Sequence, residues 1–243
     1  PLARAVLVAR CNSDYSVLEF ICEAAKTATE IGVVASQYKV SLSLYTMVVA
    51  EILETAPTVK EQLLLVLMPY ILAGLKAKNC REFQTASFLI ITQICRKTVL
   101  STVVLEALSS ALLKAISSDT PGGSLCQALL PVLHMFQSQS FSQFPPKALK
   151  QLRKLENVVD AFVELCPLYD MHQFMQLLLR ALMGSKESQD TVLLRKIVLK
   201  VPITEYASMV TSTLLEKFMP LGEDAPTDAF SQLLVRFTCR ARS

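Results

Sequence analysis

The sequence predicts an all-α chain folded as an α-solenoid, about a dozen helices set as antiparallel pairs. Three observations point there. Apolar residues recur at helical spacing from one end to the other, and no segment shows a two-residue alternation bounded by turn residues. The composition, 52% hydrophobic and 19% charged with no Trp and six Gly, is too apolar for disorder and too poor in Gly for a strand-and-turn protein. Short links separate the helical stretches, so pairs recur every ~30 to 40 residues, the repeat length of stacked-helix architectures. An irregular globular bundle is the structural alternative. The absence of a long crossover in the sequence pattern favours the solenoid.

The plan is plainest between Thr58 and Lys97, which reads as two helices packed back to back. Thr58 and Glu61 have the spacing of a capping box, in which each side chain satisfies the other's free backbone amide. From Leu63 through Leu67 to Tyr70, Ile71, Leu72 and Leu75 the first helix is apolar on nearly every side, so it must be covered on nearly every side. Pro69 removes one backbone hydrogen bond and predicts a bend or two short pieces. Gly74, Lys76, Lys78 and Asn79 are stop signals. The second helix sets Phe83, Ala86, Ile90 and Ile94 inward with Leu89 and Ile91 widening that face, and keeps Arg81, Thr85, Thr92 and Arg96 on a wet side.

The neighbours repeat this pattern. Leu2 to Cys11 forms a short helix, and Ser13 or Asp14 caps a longer one whose inner stripe is Leu18, Ile21, Cys22, Ala25 and Ala28. After Gly32, Val40 to Thr55 buries Tyr45, Val48, Val49, Ile52 and Leu53, and Pro57 stops it. Ser101 to Ser117 carries Val104, Leu105, Leu108, Leu112 and Ile116, ended by the turn Asp119 to Ser124. Ser124 to Phe136 holds an internal proline, Pro131, in a setting that echoes Pro69. Gln137 to Pro146, QSQSFSQFPP, reads as the clear loop, and Pro146 suits a first helical position. Leu149, Leu152, Leu155, Val159 and Phe162 keep register to Cys166 as one helix or two. Met171 to Met183, Thr191 to Val201, Thr204 to Met219 and Thr227 to Arg240 complete the series.

The whole chain, 1–243, reads as a single solenoid segment. Its formal charge of +3 and pI near 8.5 fall short of a dedicated nucleic-acid domain. Seven widely spaced cysteines among apolar residues read as reduced core thiols of an intracellular protein. The most apolar window, Gln62 to Leu75, is shorter than the ~20 residues a membrane span needs, so no membrane partner is expected. The opening PLARAVLVARC lacks a signal-peptide layout and a starting Met, which reads as a piece of a longer chain.

Chemistry is sparse. No two cysteines are three apart, and His134 and His172 have no helical-spaced partner, so no metal is expected. Cys166, His172 and Asp170 are the one conceivable catalytic trio, but Cys166 completes an apolar stripe and the following residues turn into the next helix. Gly122-Gly123 lacks the strand-before, helix-after setting of a phosphate cradle. Glu156, Asp160 and Glu164 share a helix face opposite the apolar stripe and read as solvated. No cofactor and no small-molecule substrate follow. Two basic clusters, Lys147, Lys150, Arg153, Lys154 and Arg195, Lys196, Lys200, could meet RNA phosphate or an acidic protein partner. Phe141 and Phe144, in the polar loop, are candidates for protein docking through an exposed apolar patch.

PLARAVLVARC followed by VLEFICEAA, then LMPYILAGLKAK with REFQTASFLIITQI, then FPPKALKQL leading to ELCPLYDMHQFMQLLLRAL, resembles the N-terminal region of the U-three small nucleolar RNA-associated protein ten family, also called HEAT repeat-containing protein one. The similarity rests on order and spacing rather than on a short motif. The resemblance implies a HEAT- or armadillo-like fold and a non-enzymatic scaffold of the nucleolar small-subunit processome. It further implies work in pre-18S ribosomal RNA processing with a link to RNA polymerase I transcription. The implied partners are other scaffold subunits, several of them β-propeller proteins of the early transcription-linked subcomplex, with pre-ribosomal RNA or the U-three snoRNP as further partners. The resemblance transfers no catalytic residue. Direct pre-ribosomal RNA binding through the basic helix faces is the alternative function.

Overall fold

A computed structural model describes residues 3–30, 35–116, 122–185 and 187–201. These hold eleven α-helices and, among the described residues, no strand. They are α1 Arg4–Ser13, α2 Tyr15–Glu30, α3 Ala35–Thr55, α4 Glu61–Lys76, α5 Arg81–Lys97, α6 Thr102–Ala115, α7 Gly122–Ser138, α8 Pro146–Leu152, α9 Val158–Leu165, α10 His172–Gly184 and α11 Ser188–Lys200. The all-α class and the succession of short-linked helix pairs are as the periodicity predicts. Gly32, Asp119, Pro202, Cys239 and the expected helices Thr204 to Met219 and Thr227 to Arg240 lie outside the described residues.

The chain divides into two compact units. Pro1–Ile116 with Ala128–Gln139 form the first, and Ser117–Gln127 with Ser140–Ser243 form the second.

In the first unit α2 lies against α3 and α4, α3 against α5, and α4 against α5 and α6. The inner stripes follow the sequence except at Ala28, which is half-buried: Leu18, Ile21, Cys22 and Ala25 of α2, then Tyr45, Val48, Val49, Ile52 and Leu53 of α3, are buried. Tyr45 meets Phe83 of α5 edge-to-face at 5.7 Å between ring centres. Each fully buried Leu, Ile or Phe of these stripes contributes about 1.5 to 3 kcal/mol of apolar transfer, which is what holds short helices together. Asp14 caps α2 by accepting the Ser16 amide at 3.1 Å. The Lys97 ammonium donates to the Glu54 and Ala56 carbonyls at 2.9 and 3.2 Å, placing a cation at the C-terminal end of α3.

Three local expectations change, and at Pro69 the helix does not break into two short pieces. The capping box does not form: α4 starts at Glu61, with Lys60 at the cap and no side-chain cap bond. Pro69 stays within one helix. The carbonyl it deprives is that of Leu65, whose side chain is 68% exposed, so water can take the freed acceptor. Gly74 is not a stop but a contact, since a Cβ there would lie 2.0 Å from Ser87 Oγ and 3.0 Å from the Phe83 carbonyl oxygen of α5. Leu89 does not widen the apolar face of α5, being 45% exposed, whereas Ile91 is buried.

The polar loop also starts later than expected. α7 takes in Gly122 and Gly123 and runs to Ser138, and Gln139 is buried in the first unit. Its amide Nε2 donates to the carbonyls of Cys95 and Thr98, both at 2.7 Å, and its Oε1 accepts the Leu100 amide at 2.9 Å. One side chain thus satisfies three main-chain groups of the α5–α6 link. In a buried turn with no ladder to join, those groups need such a partner.

In the second unit Pro146 opens α8 as its first residue, and the stretch to Cys166 is two helices. They are parted at Asn157, whose φ of 58° is the left-handed conformation that Asn tolerates better than most residues. α9 and α10 both pack on α11.

Candidate functional site

The two basic clusters converge. α8 presents Lys150, the turn after it presents Arg153 and Lys154, and α11 presents Lys196 and Lys200. Together with α9 they line one open groove of about 1100 Å³. The helical register explains the α11 wall: Gln189, Val192, Lys196 and Lys200 follow at three- and four-residue steps, so they form one stripe, while Leu194, Ile197 and Val198 are buried on the other side. Lys147 and Arg195 are exposed but outside the groove lining.

The cations are not equivalent. Arg153, with its side chain 16% exposed, is committed to carboxylates of α11 and its approach. Its Nη2 donates to Asp190 Oδ2 at 2.6 Å, its Nε lies 2.5 Å from Asp190 Oδ1 in a direction too bent for a hydrogen bond, and its Nη1 pairs with Glu187. Asp190 is fully buried, so the guanidinium is its counter-ion. Lys200 spans to Asp160 of α9 at 2.6 Å. Lys150, Lys154 and Lys196 are exposed and have no ion-pair partner among the described residues. The groove therefore holds three uncommitted ammonium groups beside Glu156, Asp160 and Glu187, over aliphatic walls that include Val192, 54% exposed, and Leu193.

The other sequence candidates fall elsewhere. Phe144 is buried in the second unit, edge-to-face with Phe174 at 5.5 Å, and Phe174 meets Phe162 in the same way at 5.5 Å. It anchors the loop to the core, so it is removed as an exposed docking residue. Phe141 is half-buried. Asp170 accepts the main-chain amide of His172 at 2.9 Å, at the start of α10, and Cys166 Sγ lies 3.7 Å from Met171 Sδ. Glu164 accepts from Cys126 Sγ at 3.1 Å, and burial together with that carboxylate pushes the Cys126 thiol up to about 11. Among the described residues the thiols of Cys11, Cys22, Cys80 and Cys95 are buried. Burial pushes Cys22 and Cys95 up to about 12, so they are inert neutral thiols rather than nucleophiles. Among the described residues no three His, Cys, Asp or Glu side chains gather as a metal site, and no helix is long and apolar enough to cross a membrane.

Sequence reasoning found the two lysine clusters without their convergence, and took Arg153 for a surface cation. The α11 stripe was readable from its spacing; the pairing of Arg153 with Asp190 was not, because the two are 37 residues apart in sequence.

These features define a helical-repeat protein with a charged surface groove, built by stacking helix pairs. A family model described as U3 small nucleolar RNA-associated protein 10 matches residues 63–182, which run from α4 into α10. An Arabidopsis thaliana protein is 25% identical over 228 residues, covering 90% of this chain and 10% of that protein. HEAT repeat-containing protein 1 of Danio rerio is 22% identical over 251 residues, 96% of this chain and 12% of its own length. The Homo sapiens protein of the same name is 28% identical over 121 residues, 48% of this chain and 6% of its own length. Over residues 63–182 the chain is similar to the U3 small nucleolar RNA-associated protein 10 family, and over nearly its whole length to HEAT repeat-containing protein 1 of Danio rerio. It spans about a tenth of the length of the Arabidopsis thaliana and Danio rerio proteins.

Proposed function

We propose that this chain is a non-enzymatic docking segment of a nucleolar scaffold in ribosome biogenesis. It would serve small-subunit processome assembly and pre-18S ribosomal RNA processing, with a link to RNA polymerase I transcription. The observation that carries the reading is the family match over residues 63–182. The name of that family puts its members with the U3 small nucleolar RNA. A stack of helix pairs suits such a role because it spreads side chains over extended surfaces without needing an enclosed site. In this reading residues 1–243 act as one helical-repeat segment of a larger scaffold, and the partners are other processome subunits, β-propeller proteins among them. A second reading, direct contact with pre-ribosomal RNA, is favoured by the convergence of Lys150, Lys154 and Lys196 on one groove.

Affinity capture from nucleolar extract with the tagged chain, performed with and without ribonuclease and analysed by mass spectrometry, tests both. Processome subunits retained after ribonuclease support protein docking. Their loss with ribonuclease moves the function to RNA, and capture of neither overturns the scaffold reading.

A further inference from the structure

The groove between α8, α9 and α11 differs from a phosphate track in three ways. Its cations are interrupted by a carboxylate, Glu156, which has no ion-pair partner among the described residues and would face a nucleic-acid backbone as a like charge. Two of its five cations are already neutralised, Arg153 by Asp190 and Glu187 and Lys200 by Asp160. Among the described residues its lining contains no aromatic side chain, whereas single-stranded RNA gains about 1 to 3 kcal/mol per base from stacking on such rings. What remains is a groove with Val192 exposed and Leu193 half-buried on α11, Lys196 on the same helix, and Lys150 and Lys154 on α8 and the turn after it, the three ammonium groups having no ion-pair partner among the described residues.

That pattern is the complement of an amphipathic acidic protein segment. Aliphatic side chains at one-turn spacing would lie along Val192 and Leu193, and carboxylates flanking them would reach Lys150, Lys154 and Lys196. Glu156 then acts in specificity, since it repels a segment whose carboxylates fall beside it. From this charge complementarity we infer that the α8–α9–α11 groove docks an acidic, aliphatic segment of a protein partner rather than RNA. The inference rests on the docking reading above and adds the surface and the chemistry of its occupant.

The test places a benzophenone photo-crosslinker in the groove, as Val192→p-benzoylphenylalanine in the tagged 243-residue chain, and irradiates it in nucleolar extract. The position is more than half exposed, so folding is preserved and is checked by circular dichroism. The expected product is a crosslink to a peptide carrying several Asp or Glu around Leu, Ile or Val, unchanged by ribonuclease. Its yield should fall at least ~10-fold in Lys150→Glu/Lys154→Glu/Lys196→Glu, since three rim charges together exceed one factor of ten. A crosslink to RNA, to a neutral or basic peptide, or to nothing overturns the inference. Processome subunits captured equally by the wild-type chain and the triple variant also overturn it, yet leave the scaffold reading standing. Failure of the wild-type chain to capture any subunit overturns that reading instead.

Discussion

Gln139→Leu removes the three hydrogen bonds that one buried amide gives to the α5–α6 link while filling nearly the same volume. The Cys95 and Thr98 carbonyls and the Leu100 amide lose their partner, and the side chains of Cys95 and Leu100 are themselves buried. At about 1 kcal/mol net per hydrogen bond the loss is ~3 kcal/mol, rising toward ~5 where a stranded group stays dry. With a urea slope of about 3 kcal/mol per molar, the unfolding midpoint falls by ~1 M. Urea titration followed by circular dichroism measures it, with Gln127→Leu as control. Gln127 is exposed on α7, where the same exchange should stay within ~0.5 kcal/mol. A shift for Gln139→Leu no larger than the control's would refute the reasoning, because it would mean that water or a rearranged link satisfies the three groups at no cost.

Gly74→Ala should destabilise by about 1 to 3 kcal/mol despite the better helix propensity of Ala, because its Cβ meets Ser87 Oγ. Adding Ser87→Ala should recover part of that loss in a double-mutant cycle, the close Phe83 carbonyl retaining the rest. Arg153→Ala should cost about 3 kcal/mol in the same urea assay by leaving the buried Asp190 carboxylate without its counter-ion, and Arg153→Met with Asp190→Leu should cost less than Arg153→Ala alone. For Cys22 and Cys95 the folded state favours the neutral thiol, with the pKa near 12 against 9.0 for an ordinary thiol. Their contribution is therefore full below about pH 9 and is lost as pH rises from there toward 12, since the unfolded chain ionises first. Denaturation midpoints measured across that window should fall less steeply in Cys22→Ala/Cys95→Ala than in the wild-type chain.

The fold was legible because it depends on a repeated local signal. Helical spacing set Tyr45, Val48, Val49, Ile52 and Leu53 on one stripe, and those five are buried. Burial is decided by many residues together, so one misplaced cap does not change it. Features that depend on a single pair were not legible in the same way. Thr58 and Glu61 have the spacing of a capping box, yet the helix starts at Glu61 and the reciprocal bonds have no cap to serve. Gly74 reads as a stop by residue type alone. Only the approach of α5, with Ser87 Oγ 2.0 Å from the place of a Cβ, shows why a residue without a side chain sits in mid-helix.

The same distinction runs through the groove. A cluster of basic residues in sequence gives a count of charges, whereas binding depends on charges left over after the fold has used its own. Of the seven cations singled out by sequence, the fold spends Arg153 on the buried Asp190 and Lys200 on Asp160, and it leaves Lys147 and Arg195 outside the groove. Lys150, Lys154 and Lys196 remain, too few for a phosphate track, but in one groove with the exposed Val192. Phe144 makes the converse case. An aromatic residue in a polar loop looks like a docking handle, but its ring closes on Phe174 and is buried, whereas Val192 of the α11 stripe stays exposed.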